Sequence, residues 1–404
     1  MMGLLVSIVV VLGIITFAQL IKVFEVTKSL KGVDDHIVTD KENRNQATLM
    51  FGYLFVFFAF CIWTYVKYGQ FMLPEAASVH GEKIDTLLGF NFLIIILAFI
   101  ITHVLLFYFA FKYQRRVGGK ADFITHNNKL ELVWTTFPAI VLAVIIIYGI
   151  STWNEITRSE PENALTVELY AKQFDWTARF PGEDGQLGEA NYRLISGTNP
   201  MGLITDNTLE EKLTELNEKK AELDAKLMDA VPDGKIAEDT QEEIWKVEKH
   251  INKLIAFQKE ADNRGAGYIS GFDDKPVKVE FHLPVDEPIK FQIRAQDVIH
   301  SAYMPHFRAQ MNAVPGMVTS FYFTPNKTTE EMRLITKNPE FDYLLYCNKI
   351  CGSAHYNMQM KIVIESREKY EAWLNQQPVF YAEGLERLKE EEFNKKQEVL
   401  ASKK

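Results

Sequence analysis

The sequence predicts a membrane-anchored all-β fold, in which four N-terminal transmembrane helices precede a β-sandwich carrying an inserted α-helical hairpin. Three observations predict it. Apolar residues crowd into the first 150 positions of a 404-residue chain that is 47% hydrophobic and 24% charged overall. Short runs between residues 164 and 365 alternate apolar and polar side chains, the period of half-buried strands. Residues 206–261 interrupt that pattern with charge and with apolar residues at helical spacing. At roughly 100–200 residues per domain, the length allows two or three units. The net charge of −9 lacks the basic excess that a phosphate-binding surface needs, so no nucleic-acid partner is expected. An acidic surface suits a basic partner instead.

Residues 2–21, 47–66, 88–111 and 130–150 each hold the ~20 apolar residues that cover the ~30 Å hydrocarbon layer of a bilayer. Lys22, Lys28, Lys31, Lys41 and Arg44 follow the first segment, and Lys112, Arg115, Arg116, Lys120 and Lys129 follow the third, which makes those connections cytoplasmic. Only Lys67 and Lys83 lie between the second and third. That loop, and everything after residue 150, is expected on the outer side. The first segment lacks the positive n-region of a cleaved signal peptide and reads as an uncleaved helix. Cys61 and His103 lie within spans, where packed interior residues are the plain reading.

On the outer side Leu165, Val167 and Leu169 alternate, as do Val277, Val279, Phe281 and Leu283, then Ile289, Phe291 and Ile293. Further strands are expected at Phe321–Thr324, Leu334–Thr336, Tyr343–Cys347 and Lys361–Ile364. Pro284, Pro288, Pro315, Pro325 and Pro339 punctuate them, because proline cannot donate to a central ladder. Many short strands with such turns make a sandwich in two pieces, residues 151–205 and 262–365. Leu209, Leu213, Leu216, Leu223 and Leu227, then Ile244, Val247, Ile251 and Leu254, lay out a coiled-coil seam for an antiparallel hairpin over 206–261. It is a solvated decoration or a docking element. Residues 366–404 read as a charged helical tail.

Cys347, Cys351, His355 and Met358 fall within twelve residues, between two strand-like runs. Thiolate, imidazole and thioether together select copper, because a harder ion gains little from methionine. Zinc on the cysteines and two histidines, or a Cys347–Cys351 disulfide, are the alternatives, and neither uses Met358. A mononuclear blue-copper site takes one cysteine and two histidines. Two thiolates allow two coppers bridged by both sulfurs, each needing its own imidazole and one weak ligand. His300, ending a strand-like run, is the best second histidine; His306 is its rival, and His282 reads as structural. The carbonyl of Lys349, between the cysteines, can be the other weak ligand.

The run Cys347-Asn348-Lys349-Ile350-Cys351-Gly352-Ser353-Ala354-His355-Tyr356-Asn357-Met358, with Asp297-Val298-Ile299-His300-Ser301 and Glu131-Leu132-Val133-Trp134-Thr135-Thr136-Phe137-Pro138-Ala139-Ile140, resembles subunit II of the haem-copper cytochrome c oxidases. The resemblance covers about residues 90–198 and 265–365. It implies a cupredoxin-like sandwich anchored by the 88–150 helix pair, so that residues 1–87 supply two additional transmembrane helices and the hairpin and tail are further additions. It implies a dinuclear CuA centre: Cys347 and Cys351 bridging, His300 and His355 each on one copper, Met358 and the Lys349 carbonyl as weak ligands. The family usually has glutamate at position 349, reaching a magnesium ion shared with subunit I. Lysine cannot do that, and the magnesium contact is doubtful.

By the same resemblance, Glu131 stands where a proton channel into subunit I opens, and Gln173-Phe174-Asp175-Trp176 matches the aromatic run that receives electrons, with Phe174 replacing the first tryptophan. Asp297, with Asp175, Asp273 and Asp274, is expected to face a basic cytochrome c. The implied role is to accept electrons from cytochrome c and pass them to haem in subunit I, where oxygen is reduced to water with proton pumping. The haem belongs to the partner subunit, and the chain catalyses nothing alone. Subunits I and III are the implied partners, with other respiratory subunits reachable through the hairpin, in a bacterial plasma membrane with the copper domain periplasmic. The rival readings are a copper-storage or assembly factor with exchangeable metal, a quinol-oxidising relative, which lacks the copper cysteines, and a nitrous oxide reductase, which lacks the four spans.

Overall fold

The structure, a computed structural model, describes residues 2–30, 39–158, 161, 163–183, 185–231, 234–264, 271–381 and 386. Its contacts form two units, Met1–Leu73 with Phe90–Val141, and Pro74–Gly89 with Leu142–Lys404.

Helices α1 (Met2–Leu30), α2 (Asp40–Tyr68), α3 (Val79–Lys112) and α4 (Asn128–Arg158) follow the four apolar segments. Thr39 starts α2 through a capping box: its hydroxyl accepts from the Glu42 amide, and the Glu42 carboxylate accepts from the Thr39 amide. Among the described residues three helices are long and apolar enough to cross a membrane, over Asp40–Phe71, Val79–Lys112 and Asn128–Thr157. Four were expected. The first predicted segment is helical in α1, but several of its side chains lie outside the described residues and it is not among the three. Phe51 stacks on Phe111 with centroids 5.2 Å apart, and Phe57 on His103 at 5.6 Å. His103 also bonds the Phe99 carbonyl through Nδ1 at 2.8 Å, the behaviour of a packed residue.

The second unit runs β1 (Leu165–Lys172), β2 (Asp175–Phe180), α5 (Asp206–Met228), α6 (Lys235–Arg264), β3 (Lys275–Val277), β4 (Glu280–Pro284), β5 (Ile289–Ala295), β6 (His300–Met304), β7 (Ala309–Ala313), β8 (Thr319–Phe323), α7 (Thr329–Thr336), β9 (Tyr343–Cys347), β10 (Gln359–Glu365) and α8 (Arg367–Gln376). Two five-stranded sheets, ordered β3-β2-β1-β5-β8 and β4-β10-β9-β6-β7, make the sandwich. β5 keeps its predicted alternation, with Ile289, Phe291 and Ile293 wholly buried and Lys290, Gln292 and Arg294 turned outward. They meet Phe281, Phe307, Phe323 and Tyr343 in one core, where full burial of each large side chain contributes about 1.5–3 kcal/mol.

Two expected strands are corrected. The run from Val277 to Leu283 is broken by Val279, which takes φ 73° and is 81% exposed, so β3 and β4 go to different sheets. Leu334–Thr336 ends helix α7 instead: Thr328 and Glu331 form a capping box, and Met332 is the side chain that α7 buries deepest. Helices α5 and α6 share a buried seam of Leu209, Leu216, Leu223, Ile244, Val247 and Leu254. Of the expected tail, α8 is described; beyond Tyr381 all but one residue lies outside the described residues.

Candidate metal centre

β6 opens with His300 and β9 closes with Cys347. The two strands pair antiparallel with Ala302 opposite Cys347, so the ladder register itself brings histidine beside cysteine. The loop from 348 to 358 is tied at its mouth, where the Cys347 amide donates to the Met358 carbonyl at 3.0 Å. A tight turn over His355–Asn357 then swings His355 and Met358 back towards Cys351.

His300 Nδ1 lies 3.9 Å from Cys347 Sγ, and His355 Nδ1 lies 3.5 Å from Cys351 Sγ. The sulfurs are 4.0 Å apart; Met358 Sδ is 3.8 Å from Cys351 Sγ, and the Lys349 carbonyl oxygen is 3.2 Å from Cys347 Sγ. Both cysteines are free, at about twice the ~2.05 Å of an S–S bond. Among the described residues, His300, Cys347 and Cys351 are the group whose ligand atoms converge closely enough for a metal, within 4.8 Å. Burial, and after it the neighbouring Cys347, pushes the Cys351 thiol up to about 11. Ionised, two buried sulfurs this close would need a cation between them, and thiolate, imidazole and thioether together fit copper.

Outside the ligand atoms, Asp297 Oδ1 accepts from His300 Nε2 at 2.8 Å, and Asp297 Oδ2 accepts from the Gln173 amide at 2.7 Å. Burial alone would raise that carboxyl, but the bonds from His300, Gln173 and Val298 outweigh it and hold it below the usual range. Sequence reasoning assigned Asp297 to a docking patch and missed this contact, although the three-residue spacing to His300 carried the signal. Gln173 Nε2 donates to the Cys351 carbonyl. Gly352, at φ 144°, passes so close to Phe174 that an added Cβ would sit 2.7 Å from the ring. Phe174 is half-buried over the loop, whereas Trp176 is wholly buried with its ring 6.3 Å from that of His300. Trp176 therefore cannot touch a docked donor.

His306 is not at the centre: it bonds the Glu75 carbonyl at 3.2 Å and packs against Phe341 and Tyr343. His282 bonds Glu365 at 2.6 Å and stacks on Trp373, as a structural residue would. The expected acidic patch shrinks to Asp297 and Asp175. Asp273 and Asp274 are buried, because Asp274 pairs with the buried Arg179 and accepts from the Gly188 amide at 3.0 Å. The Lys349 side chain is exposed while its carbonyl faces Cys347. Glu131 lies in the first turn of α4, accepting from the Asn127 amide at 3.3 Å.

Two family models match the chain, one described as cytochrome c oxidase subunit II, transmembrane domain, over residues 55–151, and one as the periplasmic domain of that subunit, over residues 272–367. The first begins inside α2, upstream of the boundary near residue 90 that the motifs suggested. The alternative cytochrome c oxidase subunit 2 of Bradyrhizobium diazoefficiens is 30% identical over 288 residues, 70% of this chain and 77% of that one. Cytochrome c oxidase subunit 2 of Thermostichus vulcanus is 21% identical over 308 residues, 76% of this chain and 78% of that one. A crystal structure of the periplasmic domain of subunit II of cytochrome oxidase from Bradyrhizobium japonicum matches 54% of this chain and 95% of its own length, at 16% identity and a TM-score of 0.26.

Proposed function

Since the chain belongs to the cytochrome c oxidase subunit II family, a membrane-anchored family with a periplasmic C-terminal domain, we propose that it receives electrons from cytochrome c at a pair of copper ions and delivers them to haem in subunit I. The observation that carries this reading is the convergence of both cysteine sulfurs with His300, His355, Met358 and the Lys349 carbonyl, each within 4.0 Å of a sulfur. These residues would hold the copper, which would supply one-electron chemistry there.

This chain's residues supply the rest. Asp297 fixes the His300 ring through Nε2 and leaves Nδ1 for the metal, the orienting role that outer-shell carboxylates play at metal sites. The sheet register and the tied loop mouth hold the donors, and burial of Cys347, Cys351 and Met358 excludes water. Phe174 and Asp297 provide the surface where the donor arrives, with Trp176 behind them. Glu131 begins proton uptake at the cytoplasmic end of α4. Lys349 offers no carboxylate at the position where the family's glutamate reaches magnesium. We read α1 as a fourth span, α5 and α6 as an insertion into the sandwich, subunits I and III as partners and a bacterial plasma membrane as the site; the chain alone reduces no oxygen.

Electron paramagnetic resonance of the purified oxidase tests the proposal. One unpaired spin shared by two copper nuclei, lost in Cys351→Ser, is the expected result. A single-copper spectrum, or zinc at this position, overturns it.

A further inference from the structure

Residues 74–89, the approach to α3 and its first turns, belong to the same contact unit as the sandwich. Ala77 and Val79 donate their amides to the carbonyls of His306 and Thr324, at 2.8 and 3.0 Å, and the Asn326 amide donates to the Ala77 carbonyl at 3.1 Å. Ser78 bridges Pro325 in antiparallel fashion, so this strap lies against the chain just beyond β8. Ser78 is wholly buried. Its hydroxyl donates to the Phe307 carbonyl at 2.8 Å and accepts from the Gly81 amide at 3.1 Å. One side chain thus satisfies an unpaired amide at the start of α3 and ties it to the turn between β6 and β7.

Arg308 closes that turn at φ 52° and reaches the opposite way. Its Nε and Nη2 donate to the two oxygens of Asp85 at 2.7 and 2.8 Å, a bidentate fork. Nη2 also reaches the Pro74 carbonyl at 2.6 Å, and Nη1 the Pro305 carbonyl at 2.7 Å. Space is closed around it: a Cβ on Gly81 would lie 3.2 Å from Arg308 Cγ. A second ion pair at this end, Lys83 with Glu155, is about half exposed on both partners, where such pairs contribute about 0–1 kcal/mol. The Arg308 and Asp85 side chains are 9% and 26% exposed, and of the four hydrogen bonds that Arg308 donates two go to Asp85, so this pair is the better shielded of the two. Arg308 also ends the segment that β6 begins with His300.

We propose that Arg308 and Asp85 are positioning residues for electron delivery, pinning the outer end of α3 to the strand that carries His300. This rests on the copper reading above. Electron transfer from a metal held on β6 depends on where that strand is anchored, and misplacement by about 1 Å can cost tenfold or more in a positioned reaction. Asp85 touches no copper donor, so its loss should alter the onward step without altering the metal.

The test uses the purified oxidase complex carrying Asp85→Asn or Asp85→Ala, with the conservative Asp85→Glu as the control. The expected result is an unchanged copper resonance and unchanged electron uptake from cytochrome c, with copper-to-haem transfer after photoreduction slowed by about tenfold. Asp85→Glu, which keeps the carboxylate, should retain most of the parental rate, and hydrogen exchange at Ala77, Val79 and Asn326 should rise in Asp85→Ala. An unchanged internal rate, or a loss of copper signal in step with the rate, overturns the proposal. Absence of a two-copper resonance in the parent complex instead overturns the reading of the metal centre. The exchange measurement then still decides whether Asp85 holds the strap: unchanged protection in Asp85→Ala sinks the pin.

Discussion

Asp297 and His300 are joined by a 2.8 Å hydrogen bond from Nε2, while Nδ1 of the same ring faces Cys347 Sγ at 3.9 Å. The carboxylate fixes both the ring's orientation and the tautomer that leaves a lone pair for the metal. Asp297→Asn keeps the size but weakens the acceptor and admits a donor in its place. Copper affinity should fall by about 10- to 100-fold, the usual cost of losing such a partner, with a changed copper hyperfine pattern. A competition titration that gave parental affinity would leave Asp297 with a docking role alone.

Metal removal exposes a different property of the loop. In the copper-free protein burial and Cys347 hold the Cys351 thiol up at about 11, so at neutral pH it is protonated and a poor nucleophile. Alkylation of Cys351 by iodoacetamide should be slow at pH 7 and accelerate through pH 10–11, and bound copper should block it at every pH. Rapid alkylation at pH 7 would show that the loop opens once the metal leaves.

Sequence periodicity made the interior of the sandwich legible because β5 and β9 alternate without interruption, and because metal donors must cluster whatever the loop does. It failed where one residue changes the backbone. Val279 alternates correctly by type, yet its positive φ turns it to solvent. Leu334 to Thr336 looks like a strand only if the Thr328–Glu331 box is overlooked. Asp274 reads as surface charge because its partner Arg179 is 95 positions away. The strap failed for the same reason: Asp85 and Arg308 are 223 positions apart, and no local pattern announces their pairing.

His306 makes the strap sensitive to acid. Burial pulls its pKa below the ordinary imidazole value, the Glu75 carbonyl opposes that, and Arg308 adds to it. The folded protein therefore resists a proton that the unfolded chain takes up near pH 6.5. Stability from this group is complete above about 6.5 and declines as the pH falls below it, by at most about 1.4 kcal/mol per pH unit for a single proton. Thermal denaturation between pH 5 and 8 should show that decline, and His306→Gln should flatten the part due to this group. A parental slope in His306→Gln would assign the acid sensitivity elsewhere.

Gly352 separates the donor surface from the metal. Its φ of 144° is one that other residues rarely adopt, and an added methyl would meet the Phe174 ring at 2.7 Å and Gln173 Nε2 at 2.9 Å. Gly352→Ala should therefore cost about 1–3 kcal/mol in strain and push Phe174 off the loop. The copper ligands, held by the β6–β9 register and the loop mouth, should stay in place. The KM for cytochrome c is then expected to rise with the copper resonance unchanged. Pairing Gly352→Ala with Phe174→Ala relieves the clash but not the backbone strain, so it should recover part of the lost thermal stability and none of the KM. Recovery of the KM in the double variant would mean that Phe174 is only a steric neighbour of the loop and that electrons arrive by another surface.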